Sequence, residues 1–216
     1  PTQLQGTFQI LFLDFSRVGG LDRTLAENFD DYCCGGLDDF ASIYEPYYYP
    51  GFEEEMKAQY GTTNKLNFLD RKARNNGSKL YLIVDEYDNF TNVVLNEQGD
   101  KVYHALTHAS GFYREIFKKF KGMFERIFMT GVSPVTLDDL TSGFNIGWNI
   151  STDHQFNMML GFSETDVREM IQYYKDAGQL PGNTNIDAMI EEMRPWYDNY
   201  CFAEESLERD PKMFNC

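Results

Sequence analysis

One feature constrains this chain more than any other: an apolar run that ends abruptly in acids. Residues 80–84 are Leu-Tyr-Leu-Ile-Val, and residues 85–88 are Asp-Glu-Tyr-Asp. An apolar run of this length without polar alternation is typical of a strand that helices cover on both faces, as in parallel sheets. The run therefore predicts an α/β fold in which carboxylates cluster at the carboxyl end of a buried strand.

Two other segments predict further strands. Residues 7–15 are nearly continuously apolar and are followed by the Gly19-Gly20 turn signal. Residues 127–130 form a short apolar strand that closes on Thr130 before Gly131. Segments whose apolar residues recur at helical spacing lie between these strands. The alternation predicts an α/β sandwich with a mainly parallel sheet.

Several segments have the apolar spacing that is typical of helices. Residues 21–44 predict two helical pieces around the Gly35-Gly36 pair, and residues 102–121 predict a crossover helix. A capping box at residues 163–166 predicts a helix over 164–177, and a last helix is expected to end at Pro195. We expect residues 1–150 to form the sheet-bearing core and residues 151–216 to form a helical extension of the same domain.

Composition narrows the function classes. The chain has 216 residues and a net charge of -15, from 34 acidic and 19 basic residues, which argues against direct nucleic-acid binding by this segment. No run approaches the length of a membrane span, and no basic leader is evident. The four cysteines suit neither a disulfide framework nor a metal knuckle, which predicts a reducing, cytoplasmic compartment.

The acidic cluster after the second strand has two interpretations. In open parallel sheets, ligands bind beyond the carboxyl ends of the strands. An apolar strand followed by Asp-Glu is the Walker B arrangement, in which Asp85 would contact Mg²⁺ through its water shell and Glu86 would orient or deprotonate the attacking water. The alternative is a solvated acidic turn at the end of an ordinary strand. The motif by itself leaves both open.

Thr130 closes the neighbouring strand and is a second candidate site residue. It could contact the γ-phosphate or the water, as sensor 1 residues do, or it could bond only to the turn at Gly131. Ser133 is a weaker candidate of the same kind. His104 and His108 are one helical turn apart, but no third metal ligand is evident, so surface positions on a helix are expected.

A phosphate loop is missing from the printed sequence. No segment matches G-x-x-x-x-G-K-[ST], and residues 77–79 (Gly-Ser-Lys) precede a strand rather than a helix. Either the chain is a degenerate NTPase or the sequence begins after the loop. The second alternative is favoured, because Pro1 is not an initiator residue and the chain opens almost directly on a strand.

Several segments together resemble the AAA-ATPase-like family of P-loop NTPases. They are residues 13–16 (Leu-Asp-Phe-Ser), 82–88 (Leu-Ile-Val-Asp-Glu-Tyr-Asp), 128–140 (Phe-Met-Thr-Gly-Val-Ser-Pro-Val-Thr-Leu-Asp-Asp-Leu), 141–146, 159–163 and 196–200. The resemblance implies that Asp85 and Glu86 match the Walker B acids and that Thr130 lies near sensor 1. It implies a bacterial protein whose full-length form binds ATP with Mg²⁺ and hydrolyses it. Many members continue into a PD-(D/E)XK nuclease-like domain.

The resemblance also implies a three-layer P-loop sandwich from which the phosphate-loop strand is absent. In this fold class that strand lies between the sensor 1 strand and the last strand, so its absence would leave a gap inside the sheet, and the exposed neighbouring edges would invite pairing with another chain. Self-association or a protein partner is therefore expected. The alternative to an ATPase is a non-catalytic interaction module with an incomplete NTPase fold.

Overall fold

A computed structural model describes residues 2–19, 24–89, 111–132, 148–197, 200–201 and 212–215. The chain divides into two compact units, Pro1–Ile146 and Gly147–Cys216, and each is considered separately. Whether residues 151–216 extend the same domain stays a prediction.

The first unit contains a three-stranded parallel sheet. Its strands are β1 (Phe8–Asp14), β2 (Lys79–Asp85) and β3 (Arg126–Met129), in the spatial order β1-β2-β3. Both neighbouring pairs are parallel. The predicted α/β class and parallel sheet are confirmed, and each strand lies within about two residues of its predicted position.

Helix α1 (Leu25–Tyr44) is continuous, so the prediction of two helical pieces around Gly35-Gly36 was wrong. A capping box between Thr24 and Glu27 starts the helix. At Gly36 a Cβ atom would lie 2.7 Å from Cδ2 of Leu13 in β1. The missing side chain thus lets the helix pack closely on the strand, and this contact offsets the roughly 1 kcal/mol cost of a glycine within a helix.

Three more helices complete the described part of this unit: α2 (Phe52–Lys57), α3 (Gly61–Asn76) and α4 (Phe112–Met123). Helices α2 and α3 were not predicted, because polar residues dominate both segments. Helix α3 ends at Asn76, with Gly77 as its C-cap, just before β2. Helix α4 matches the second half of the predicted crossover helix, and residues 101–110 lie outside the described part of the chain.

Helices and sheet share one apolar core. Its largest fully buried side chains include Leu11, Leu13, Phe15, Phe29, Leu37, Phe40, Phe52, Leu66, Leu69, Tyr113 and Phe120. On the other face of β1, Ile10 is 43% exposed and Phe12 is 55% exposed. Strand β1 therefore alternates between buried and exposed side chains, where the sequence predicted a strand buried throughout. The three-layer sandwich stays a prediction.

Strand β3 lies at one border of the sheet. Within the described residues its only strand neighbour is β2. The other side of β3 is where the resemblance puts a phosphate-loop strand. The described part of the chain contains no strand there.

The described residues of the second unit include two α-helices, α5 (Glu164–Asp176) and α6 (Ile186–Tyr197). The predicted capping box between Ser163 and Asp166 is confirmed. Helix α6 continues through Pro195 to Tyr197, two residues beyond its predicted end. A proline so near the end of a helix disturbs only the last turn. In the described part of the chain no helix combines the length and apolar character of a membrane span.

Candidate functional site at the carboxyl edge of the sheet

The carboxyl ends of the three strands meet along one edge. The parallel register puts Asp14 of β1 opposite Asp85 of β2, and it puts Val84 of β2 opposite Met129 of β3. Thr130 is the first residue after β3. Acidic and hydroxyl side chains from all three strands are thereby gathered where α/β proteins usually bind ligands.

The side chains of Asp85 and Thr130 are in contact. The Thr130 hydroxyl donates a hydrogen bond to Oδ1 of Asp85, and the backbone N–H of Glu86 donates to the same oxygen at 3.0 Å. The side chain of Thr130 therefore bonds to the acidic turn. The structure brings the two predicted site residues together, while their roles stay predictions.

Glu86 has an unusual backbone conformation. Its φ of 53° makes it the one non-glycine residue with a left-handed backbone among the described residues. Such a conformation costs on the order of 1 kcal/mol or more and is concentrated at functional sites. The carbonyl of Glu86 accepts a hydrogen bond from the N–H of Asn89 at 3.0 Å, which closes a tight turn. The turn keeps Glu86 next to Asp85 at the end of β2.

The rest of the acidic turn is buried. Tyr87 is 4% exposed, and Asp88 is fully buried. Both oxygens of the Asp88 carboxylate accept a hydrogen bond from the N–H of Val132, at 3.1 and 3.2 Å. The alternative of a solvated acidic turn therefore does not describe Asp88.

The oxygen atoms of this edge can be compared with what Mg²⁺ requires. Among the described residues, no three His, Cys, Asp or Glu side chains converge to hold a metal ion. Mg²⁺ in nucleotide sites commonly keeps several waters and is held by one or two carboxylates together with phosphate oxygens. The partly exposed Asp85 carboxylate, with the Thr130 hydroxyl beside it, fits that smaller share of the ligands.

Asp14 is a candidate that the sequence analysis did not single out as a site residue. Its Oδ1 accepts hydrogen bonds from the N–H and the hydroxyl of Ser16, at 3.0 and 2.6 Å. Its N–H donates to the Tyr32 hydroxyl oxygen at 2.8 Å, and burial raises the pKa of Tyr32. The missed signal was that β1 and β2 both end in Asp, which a parallel register sets side by side.

Other candidates lie elsewhere or outside the described residues. His104, His108, Ser133 and Cys216 belong to the latter group. Cys33, Cys34 and Cys201 are free thiols. Burial raises the pKa of Cys33 well above its usual value and also raises that of Cys34. Neither thiol of α1 is therefore suited to act as a nucleophile at neutral pH.

Comparison with known proteins identifies the family. The family model described as "Predicted AAA-ATPase" matches residues 1–141, which include all three strands and the whole candidate site. This chain belongs to the AAA-ATPase-like family. The resemblance drawn from the sequence motifs is confirmed. The expected continuation into a nuclease-like domain stays a prediction.

A relative of this AAA-ATPase-like chain adds little about activity. It is the "Uncharacterized protein in vnfD 5'region" of Azotobacter chroococcum mcd 1, which is 27% identical over 133 residues. The matched segment covers 61% of this chain but only 23% of that relative. No solved structure matches the chain.

Proposed function

We propose that this chain supplies the magnesium and water half of an ATP-hydrolysing site in the full-length AAA-ATPase-like protein. The observation that carries the proposal is the contact between Thr130 and Asp85 at the carboxyl edge of a parallel sheet. In a family named for ATPases, this is the edge at which the metal-bound phosphates of a nucleotide would lie.

Each residue of the site has a distinct role in this proposal. Asp85 holds the water shell of Mg²⁺, whose charge stabilises the phosphate oxygens in the transition state. Glu86 positions the attacking water and accepts its proton. Thr130 contacts the water or the γ-phosphate and also holds the Asp85 carboxylate in place. The phosphate-binding N–H groups and lysine are not found in the printed 216 residues, so the proposal concerns the full-length protein.

The test is a Glu86→Gln substitution in the full-length protein. We expect ATP binding with Mg²⁺ to be kept and single-turnover hydrolysis to fall by about 100-fold or more, because the water loses its base while the nucleotide contacts stay. Glu125→Gln is the matched control. Glu125 is exposed, precedes β3 at the opposite end of the strands and pairs only weakly with Lys79, at 3.4 Å. Hydrolysis at the wild-type rate in Glu86→Gln would refute the role of Glu86.

The second proposal, an interaction module, is supported by the border position of β3 and by the exposed side chains of Ile10 and Phe12. On this proposal the 216-residue chain binds no ATP and instead pairs with another chain, either a second copy or a protein partner. Calorimetry with MgATP on the full-length protein and sedimentation velocity of the 216-residue chain separate the two proposals. Micromolar affinity of the full-length protein for ATP would contradict the interaction module, and a monomer at all concentrations would exclude pairing with a second copy.

A further inference from the structure

The carboxylate of Asp88 stands out because it is buried without being part of the proposed chemistry. Among the described residues, only Thr62, Lys65, Asp88 and Asn157 are buried polar or charged side chains. Burying a carboxylate costs several kcal/mol unless hydrogen-bond donors surround it. The two bonds from the Val132 N–H are therefore important to both segments that they join.

The segment after β3 is joined to the turn after β2 at several points. The N–H of Thr130 donates to the carbonyl of Val84 at 2.9 Å, and the N–H of Tyr87 donates to the carbonyl of Thr130 at 3.0 Å. Together with the bond from the Val132 N–H to the Asp88 carboxylate, these contacts fix the backbone on both sides of Thr130. Its hydroxyl is thereby held next to Asp85.

Gly131 shows how closely the two segments approach. A Cβ atom at this position would lie 2.5 Å from Oδ1 of Asp88 and 2.6 Å from Cε1 of Tyr87. Any side chain larger than hydrogen would push the segment after β3 away from the turn. The glycine is therefore needed for the contact between Val132 and Asp88.

The acidic turn is also attached to helix α4 of the core. The hydroxyl of Tyr113, at the start of α4, donates to the carbonyl of Tyr87, and Tyr113 is completely buried. Its ring packs against Phe29 at 5.1 Å and Phe117 at 4.8 Å between centroids. The acidic turn thus has a rigid support on the side of the core.

We infer that Asp88 is a positioning residue, whose buried carboxylate fixes the segment after β3 on the acidic turn and so keeps Thr130 against Asp85. This inference rests on the proposed function for its effect on catalysis, but not for its effect on local structure. Asp88 touches neither nucleotide nor water in this scheme. Its loss should therefore lower the rate of the chemical step more than it weakens ATP binding.

The first test is hydrogen exchange in the full-length protein. In Asp88→Ala the Val132 N–H loses its acceptor, so we expect its exchange to become at least about tenfold faster, while amides of β2 such as Leu82 keep their protection. Asp88→Asn retains one acceptor oxygen and should fall between the two proteins. Asp39→Ala, an exposed change in α1, is the matched control. Unchanged exchange at Val132 in both Asp88 variants would overturn the inference.

A variant that unfolds does not end this test. If β2 amides also lose protection in Asp88→Ala, the test uses Asp88→Asn and Gly131→Ala in its place. Gly131→Ala disturbs the same contact from the other side. Faster exchange at Val132 than at Leu82 in these variants supports the inference. Equal changes at both amides would make Asp88 a general stabilising residue and would overturn it.

The second test separates the kinetic constants of the same proteins. We expect Asp88→Ala to lower kcat for ATP hydrolysis by about tenfold and to change KM by less than about twofold, with partial recovery in Asp88→Asn. A raised KM with unchanged kcat would overturn the inference. If instead Glu86→Gln hydrolyses ATP normally, the proposed function fails, and exchange at Val132 still tests the role of Asp88 in local structure.

Discussion

In the first unit the described residues bury one continuous apolar cluster against the sheet, whereas in the second unit four buried side chains hold two helices together. Those four are Val167, Ile171, Ile190 and Phe214. Ion pairs between exposed side chains supplement this small core, chiefly from Arg168 and Arg194 to Glu164. Exposed pairs contribute little to stability, so the second unit should be the weaker of the two.

The candidate site lies in the better-packed unit. Phe15, directly after Asp14, packs against the rings of Phe29 and Tyr113, at 5.0 and 6.0 Å between centroids. Tyr113 also supports the acidic turn through the carbonyl of Tyr87. Side chains of the deepest core therefore hold the candidate site in place, which is how proteins position functional groups precisely.

The largest effect is expected in the first unit. Leu82→Ala removes a fully buried side chain from the middle strand, and we expect a loss of about 4 kcal/mol in the free energy of unfolding, from lost burial and the cavity left behind. Urea denaturation followed by hydrogen exchange of the β1 and β2 amides measures this loss, because both tryptophans, Trp148 and Trp196, lie in the second unit. A change below about 1 kcal/mol would show that this core is loosely packed.

The corresponding change in the second unit should cost less. Ile190 is also fully buried, but only a small cluster surrounds it, which can relax around the space. We expect Ile190→Ala to cost about 2 kcal/mol. Hydrogen exchange resolved by residue should show the loss in α5 and α6 and leave β2 protected. Equal loss of protection in both units would mean that they unfold together, and it would contradict the expectation that the second unit is the weaker one.

A buried ion pair distinguishes the first unit further. The Lys65 ammonium, 5% exposed, lies 2.5 Å from Oδ1 of Asp38 and 2.9 Å from the carbonyl of Met56. Asp38→Asn leaves this buried charge without its counterion, and we expect a cost of about 1.5 kcal/mol, reduced because Asp38 is partly exposed. Lys65→Met, which removes the charge as well, should cost less. A greater loss in Lys65→Met, measured by urea denaturation, would contradict this account.

The smallest effect is expected for the exposed ion pairs of the second unit. Hydrogen bonds from Arg194 and then Arg168 lower the pKa of Glu164 from its usual 4.5. A lowered pKa in the folded state contributes stability above the unfolded pKa, and this contribution is lost as pH falls through the folded value. Glu164→Gln should therefore lower Tm slightly at neutral pH and not at all in strong acid.

Salt provides the control for that prediction. The Tm difference between wild type and Glu164→Gln should shrink in high salt, because exposed charges are screened. Glu169→Gln, which removes an exposed carboxylate of α5 outside these ion pairs, should leave the Tm unchanged. A difference in Tm that persists in strong acid and in high salt would show that Glu164 acts through packing rather than charge.

Much of the fold followed from local patterns. The apolar runs predicted β2 and β3 closely, and the Ser163 capping box predicted the start of α5, because such signals depend on residues that are neighbours in sequence. Helix α3 was not predicted because it buries the polar residues Thr62 and Lys65 on the side that faces the core. Only the surrounding core makes those positions interior.

The order of residues was enough to predict the α/β class, the family and the acids at the end of β2. The folded arrangement was needed to show that Thr130 contacts Asp85, that Glu86 takes a left-handed backbone and that the buried Asp88 carboxylate accepts a hydrogen bond from the Val132 N–H. The difference follows from how far apart in the sequence the interacting residues lie. Strand formation depends on nearby residues, whereas the contact across 45 positions between Asp85 and Thr130 depends on the register of β2 and β3 and on the core that holds them.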